Sequence, residues 1–251
     1  GPTADMFNNK KLNKAGEWKM NKVCVVAGVG PGNGASISNR FAAEGYMTVM
    51  LARNEDYLAA LSTTIDNSIG IACDLSSAES IEKAFARINR EFGSIDTLVY
   101  NAGSGLWRSA LETTLDDLYD SWAVNVRGLL ACTHQVLPGM LEKNAGNVMI
   151  IGATASLRGG PQSAAFASAK AGQRSLAQSL ARKLGSEGIH VGYLIIDGII
   201  DLERSRARLP DKPDDFFMKA DEIAKNVYAL TQQDQSAWTF ELDLRPFGEN
   251  W

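Results

Sequence analysis

The chain has 251 residues, 45% of them hydrophobic and 22% charged, and a formal net charge of −4; this suits one α/β domain and excludes a general attraction to nucleic acid or to an anionic membrane. No stretch reaches the roughly 18 uninterrupted apolar residues of a membrane span, and the polar start "GPTADMFNNKKLNKAGEWK" has no apolar core for a signal peptide. Cys24, Cys73 and Cys132 are scattered, with no CxxC pair. They read as buried structural thiols of a protein in a reducing, cytoplasmic compartment.

Residues 1–19 read as an N-terminal extension outside the fold, with Gly1-Pro2 as a cleavage remnant and Met20 as a natural start; the domain is taken as 20–251. From there short β-branched runs alternate with helical ones. "KVCVVAG" (22–28) is a buried strand that runs into a Gly-rich turn, and 34–45 is a helix ended by Gly45. Strand 47–53, helix 55–65 and strand 68–74 follow. The segment 77–93 puts Ile81, Phe85 and Ile88 on one helical face. Then come strand 95–103, one long helix over 114–143, strand 146–153, helix 162–186 and strand 189–197. A charged, Pro-interrupted segment (199–220) separates these from helix 221–233 and strand 237–244. Strands joined by helical crossovers pair in parallel with helices on both faces. The expected fold is a single-domain, doubly wound seven-stranded sheet of the Rossmann type, its ligand lying beyond the carboxyl ends of the strands at the switch point.

The turn "AGVGPGNGAS" (27–36) follows a strand and opens a helix. Its spacing is Gly28-xxx-Gly32-x-Gly34, because Asn33 stands where GxGxxG would need glycine. Glycine lets the backbone approach a pyrophosphate, and the helix start favours the anion. With "CDL" (73–75), "YNAG" (100–103), "VNVRG" (124–128) and Phe166-xxx-Lys170, the chain resembles the short-chain dehydrogenase/reductase family over about 21–244. The resemblance implies an NAD(P)-binding domain, a small-molecule substrate and a homodimer or homotetramer. It places Asp74 and Leu75 at the adenine, Asn101, Ala102 and Gly103 along the cofactor, and Gly198 and Ile199 in a loop at the nicotinamide. Strand two ends "MLARNED", with Ala52 where NAD-preferring relatives carry Asp, followed by Arg53. A guanidinium binds a 2′-phosphate, so the expected cofactor is NADP(H).

The family's catalytic set is Asn, Ser, Tyr and Lys. Asn125 and Lys170 match two of these; the Ser place holds Ala153 and the Tyr place Phe166. Phe transfers no proton and Ala donates no hydrogen bond, and each lost function typically contributes 10²-fold or more. Thr154, Ser156 and Ser168 are nearby hydroxyls, and Asp197 and Asp201 are candidate replacement acids. The 2,4-dienoyl-CoA reductases of the same family also lack this Tyr, and "ASAKAG" (167–172) resembles theirs, but their replacement Tyr has no counterpart near Ala155. Deliberate removal of both hydroxyls is another explanation; Gly152, Thr154 and Asp197 also depart from the pattern and favour a natural branch. Arg127 and Arg158 can meet an anionic substrate, and 199–220 is the expected lid, with Phe216, Phe217 and Met218 as apolar contacts. His134 and His190 stand apart, outside metal-binding spacing, so no metal site is expected. Three functions remain open: an atypical NADP(H)-dependent oxidoreductase, a nucleotide-binding sensor without turnover, and a non-redox enzyme of cyclisation or isomerisation.

Overall fold

The computed structural model describes residues 10–12, 18–103 and 105–250. Strands β1 (Lys10–Leu12) and β2 (Trp18–Met20) pair antiparallel with each other, so part of the N-terminal stretch set aside in the sequence carries secondary structure. The domain then runs β3 (Val23–Ala27), α1 (Asn33–Ala43), β4 (Met47–Ala52), α2 (Glu55–Ser62), β5 (Ser68–Ala72), α3 (Ala78–Phe92) and β6 (Thr97–Tyr100). Its second half runs α4 (Leu115–Trp122), α5 (Gly128–Lys143), β7 (Gly146–Ala153), α6 (Ala164–Leu184), β8 (Ile189–Ile196), β9 (Ile199–Ile200), α7 (Glu203–Arg208), β10 (Phe217–Met218), α8 (Ala220–Thr231) and β11 (Glu241–Leu244).

Seven strands form one parallel sheet in the order β11-β8-β7-β6-β3-β4-β5. The chain winds outward from β3 in one direction, then returns to start β6 on β3's other side. The switch point therefore lies between β3 and β6, and a ligand crevice belongs at their carboxyl ends. Both sheet faces are covered, so β3 is buried at every position. Val23, Val25 and Ala27 join the core beneath α3, α5 and α6, while Cys24 and Val26 join the one beneath α1 and α8. All three cysteines are buried and unpaired with one another.

Helix α3 shows how the sequence makes an element. Ser77 caps its start by accepting a hydrogen bond from Ser80 N, and Gly93, at φ 82°, ends it. Ile81, Phe85 and Ile88 are fully buried on its inner face, each worth roughly 1.5–3 kcal/mol. Two departures from the sequence reading bear on the site. The single helix expected over 114–143 is α4 and α5 joined by a π-helical turn, Ala123–Arg127. The segment 199–220 is structured: β9 pairs with β10 in parallel, and α7 lies between them.

Candidate active site

Beyond Ala27 the chain turns at Gly28, whose φ of +95° suits glycine. A Cβ there would lie 2.5 Å from Ala102 N, because the end of β6 runs directly against the turn. Asn101 locks this contact by donating from Nδ2 to Gly28 O at 2.9 Å. At Gly34 a Cβ would lie 2.6 Å from Gly28 O, so α1 starts close under the turn. Gly32 occupies the N-cap of α1 without a side-chain cap, which leaves the first N–H groups of the helix for a ligand. Asn33 is buried, and its Oδ1 has no hydrogen-bond partner among the described residues.

The turn forms one wall of a cleft of about 670 Å³ at the switch point. Gly28, Arg53, Asp74, Leu75, Asn101, Ala102 and Gly103, all singled out in the sequence, line it. Gly32, Asn33 and Gly34 follow the turn at the start of α1 and are not among the lining residues. Gly198 and Ile199 are not among the lining residues either: Gly198 packs closely against Pro246 and Met218, and Ile199 begins β9. Arg53 follows Ala52 at the end of β4 and lies in the field of Asp74. Ser76 donates to Asp74 from its hydroxyl (2.6 Å) and its N–H (3.0 Å), holding that carboxyl below its usual range, with Arg53 contributing. Val29, Gly30, Asp120, Val124 and Arg204 are also in the lining. Arg204 comes from α7, far along the chain, and no local pattern marks it.

Asn125 sits in the π turn, fully buried. A π turn leaves carbonyls without their usual helical partners, and tertiary donors replace them: Tyr100 OH donates to Val124 O at 2.5 Å, and Gln173 Nε2 to Asn125 O at 2.9 Å. Asn125 Nδ2 donates back to Ser121 O, and its Oδ1 has no partner among the described residues. Lys170 is 4% exposed and donates to Ile151 O (3.0 Å) and Gln173 Oε1 (3.1 Å). Burial lowers its pKa to about 7. A point one Cβ out from Gly103 lies 3.3 Å from Asn125 Oδ1 and 3.5 Å from Lys170 Nζ. The two polar ends thus converge on Gly103, one of the residues that line the cleft.

The other expected groups divide. Phe166, half-buried, packs its ring 5.6 Å from Trp107, so an aromatic pair stands where the resemblance places a phenol. Ala153 ends β7 half-buried and donates its N–H to Ser156 Oγ. Asp197 is buried and accepts from Thr154 Oγ1 at 2.6 Å and from Arg245 Nε at 3.3 Å, with Arg158 at 3.9 Å. Asp201 is paired with Arg206, which holds its carboxyl below the usual range, the reverse of what an acid donor needs. Arg127 donates to Ser76 O and braces the cleft floor. Ser168 bonds within its own helix. Ser156, one of the nearby hydroxyls, meets a tyrosine that the sequence did not single out: Ser156 Oγ and Tyr193 OH share a 2.7 Å hydrogen bond, and Tyr193 OH donates to Gln173 Oε1 at 3.1 Å. Both are buried beneath Gly152, against which the Tyr193 ring packs. They support Lys170 from below, away from the cleft. Among the described residues no cluster of His, Cys, Asp or Glu is arranged to hold a metal, and no helix is long and apolar enough to cross a membrane.

Comparison with known proteins agrees with this geometry. The family model described as short chain dehydrogenase matches residues 22–211. The 3-oxoacyl-[acyl-carrier-protein] reductase FabG of Escherichia coli (strain K12) is 29% identical over 226 residues, covering 86% of this chain and 92% of that protein. Carbonyl reductase family member 4 of Xenopus laevis is 26% identical over 218 residues, covering 85% and 92%. A crystal structure of a short-chain dehydrogenase from Rhodopseudomonas palustris superposes with a TM-score of 0.78 at 31% identity, covering 91% of this chain and all of that one. A metagenomic short-chain oxidoreductase in complex with NADP does so with a TM-score of 0.78 at 25% identity, covering 90% and 97%. With its glycine turn, parallel sheet and buried lysine, the chain belongs to the short-chain dehydrogenase family.

Proposed function

We propose that the protein binds NADP(H) in the switch-point cleft and acts as an oxidoreductase of a divergent branch that lacks the family's catalytic Ser and Tyr. The observation that carries the reading is the cleft itself: its glycine turn is closed by Asn101 and Ala102, and at the end of β4 it presents Arg53 beside Ala52 with no carboxylate at that place. The residues fit a dinucleotide. Arg53 meets the 2′-phosphate, Asp74 and Leu75 the adenine, the turn and the start of α1 the pyrophosphate, and Lys170 with Asn125 the ribose beside the nicotinamide. Gly198 and Ile199 flank that end. When bound, the nicotinamide supplies or accepts a hydride. Phe166 moves no proton, and Ala153 polarises no carbonyl. We assign the polar role to the Thr154–Asp197 pair at the carboxyl ends of β7 and β8.

A second reading, nucleotide binding without turnover, is favoured by the Trp107–Phe166 pair, which makes the place of the missing acid apolar. One experiment separates the two. The full chain is titrated with NADPH and NADH by fluorescence, then NADPH oxidation is followed across carbonyls and enoyl thioesters. Substrate-dependent oxidation supports the oxidoreductase. Binding without turnover supports the second reading, and failure to bind either nucleotide overturns both. Arg53→Ala is expected to weaken NADPH about tenfold or more while sparing NADH, since a charge-assisted hydrogen bond is worth about 1.5–3 kcal/mol. Equal weakening of both nucleotides would remove Arg53 from the 2′-phosphate.

A further inference from the structure

The glycine turn carries no basic side chain. The first turn of α1 has none, and its N-terminus supplies only about half a positive charge. A pyrophosphate carries two negative charges, so the turn alone leaves it under-compensated. One cationic side chain of the cleft comes from a distant part of the chain. After β9 the backbone passes over the turn: Leu202 packs against Gly32, with Leu202 Cδ2 3.4 Å from where a Cβ on Gly32 would lie. Two residues further, Arg204 of α7 lines the same cleft as Gly28, Val29, Gly30 and Arg53.

The neighbouring lid arginines do different work. Arg206 bridges Asp201 and Asp214 and lies over the Phe217 ring at 4.4 Å, which fixes the lid to itself. Arg208 lies outside the cleft. Arg204 is exposed and has no ion pair among the described residues. The lid is thus anchored by one arginine and presents another, uncommitted, to the place where phosphate oxygens would lie. A planar guanidinium there can donate to two of them at once.

We propose that Arg204 is the pyrophosphate clamp of this protein, carried on the lid so that nucleotide binding draws α7 down on the glycine turn. The inference rests on the nucleotide-binding reading above and adds a residue and a role to it. The assignment to the pyrophosphate, not the 2′-phosphate, follows from Leu202 seating the lid on Gly32, at the start of α1, while Arg53 stands at the end of β4.

The test is fluorescence titration of the full chain with NADPH and with NADH, using wild type, Arg204→Gln, Arg204→Lys and Arg53→Ala. Arg204→Gln is expected to weaken both nucleotides by the same factor, about tenfold, and Arg204→Lys to recover part of the loss. Arg53→Ala weakens NADPH alone. Unchanged affinity of Arg204→Gln for both nucleotides overturns the clamp. So does a loss confined to NADPH, which would move Arg204 to the 2′-phosphate. If Arg204→Gln unfolds at a lower temperature than wild type, Arg204→Met decides by the same two criteria. A wild-type chain that binds neither nucleotide overturns the underlying reading, and the clamp with it, a result distinct from either loss in the variant.

Discussion

At Lys170 burial strips water from an ammonium without supplying a carboxylate; its partners are a backbone carbonyl and the Gln173 amide. The neutral form is favoured, and the pKa falls to about 7 from 10.5. Between those values the unfolded chain binds more protons than the folded one. Stability contributed at this site therefore rises with pH above about 7, by at most about 1.4 kcal/mol per unit, and below pH 7 the cost of burial is constant. Lys170→Met removes the slope. Denaturant unfolding of both chains at pH 7 and pH 9 should show the variant's stability advantage shrinking by about 2 kcal/mol. The buried thiols and Tyr46, whose pKa values are raised, act in the opposite direction at higher pH but equally in both chains. An advantage of equal size at the two pH values would mean that Lys170 stays charged in the folded state. Position 170 is legible from Phe-x-x-x-Lys. Gln173 and Tyr193 are not, because a glutamine one turn on and a tyrosine in an apolar strand look ordinary until β8 lays the phenol under Gly152.

Among the elements, the strands were the easiest to read, since β-branched runs bounded by glycine and polar turns leave few alternatives; β7 has the expected bounds. The broken helix was not legible. Nothing in "YDSWAVNVRGLL" interrupts helical periodicity, and the π turn is imposed by groups from β6 and α6 that take its displaced carbonyls. A glycine at 128 belongs to the same device, because a side chain there would collide with Tyr100 OH. Tyr100→Phe should cost about 1–3 kcal/mol, the price of leaving Val124 O buried and unpaired. It should also loosen Asn125, two bonds along the same turn. Equilibrium unfolding checks the first effect and the NADPH affinity of the folded variant the second. A variant as stable as wild type would mean that the π turn holds without its tertiary donor.

For the whole molecule, the alternation of strand and helix made the doubly wound sheet legible, whereas the outward surface of α4 was not. Leu115, Leu118, Tyr119 and Trp122 fall at i, i+3, i+4 and i+7, the pattern of a helix face turned to a core. In this single chain they point outward, Leu115 at 85% exposure, with Leu111 at 98% just before them. The helix holds its place by other means: a capping box between Thr114 and Asp117, and an Arg108–Asp117 ion pair at 2.8 Å. An apolar stripe of this kind is costly in water unless something covers it, and a second copy of the chain is the cover expected of a homodimer or homotetramer. Each such side chain is worth roughly 1.5–3 kcal/mol when buried. The paired change Leu115→Glu with Leu118→Glu should therefore weaken self-association by about a hundredfold or more, at 1.4 kcal/mol per factor of ten. Light scattering of wild type at micromolar concentration should give a dimer or tetramer, and the variant a folded monomer with an unchanged far-ultraviolet spectrum. A monomeric wild type, or an oligomer indifferent to the two charges, would mean that the stripe on α4 is not where the subunits meet.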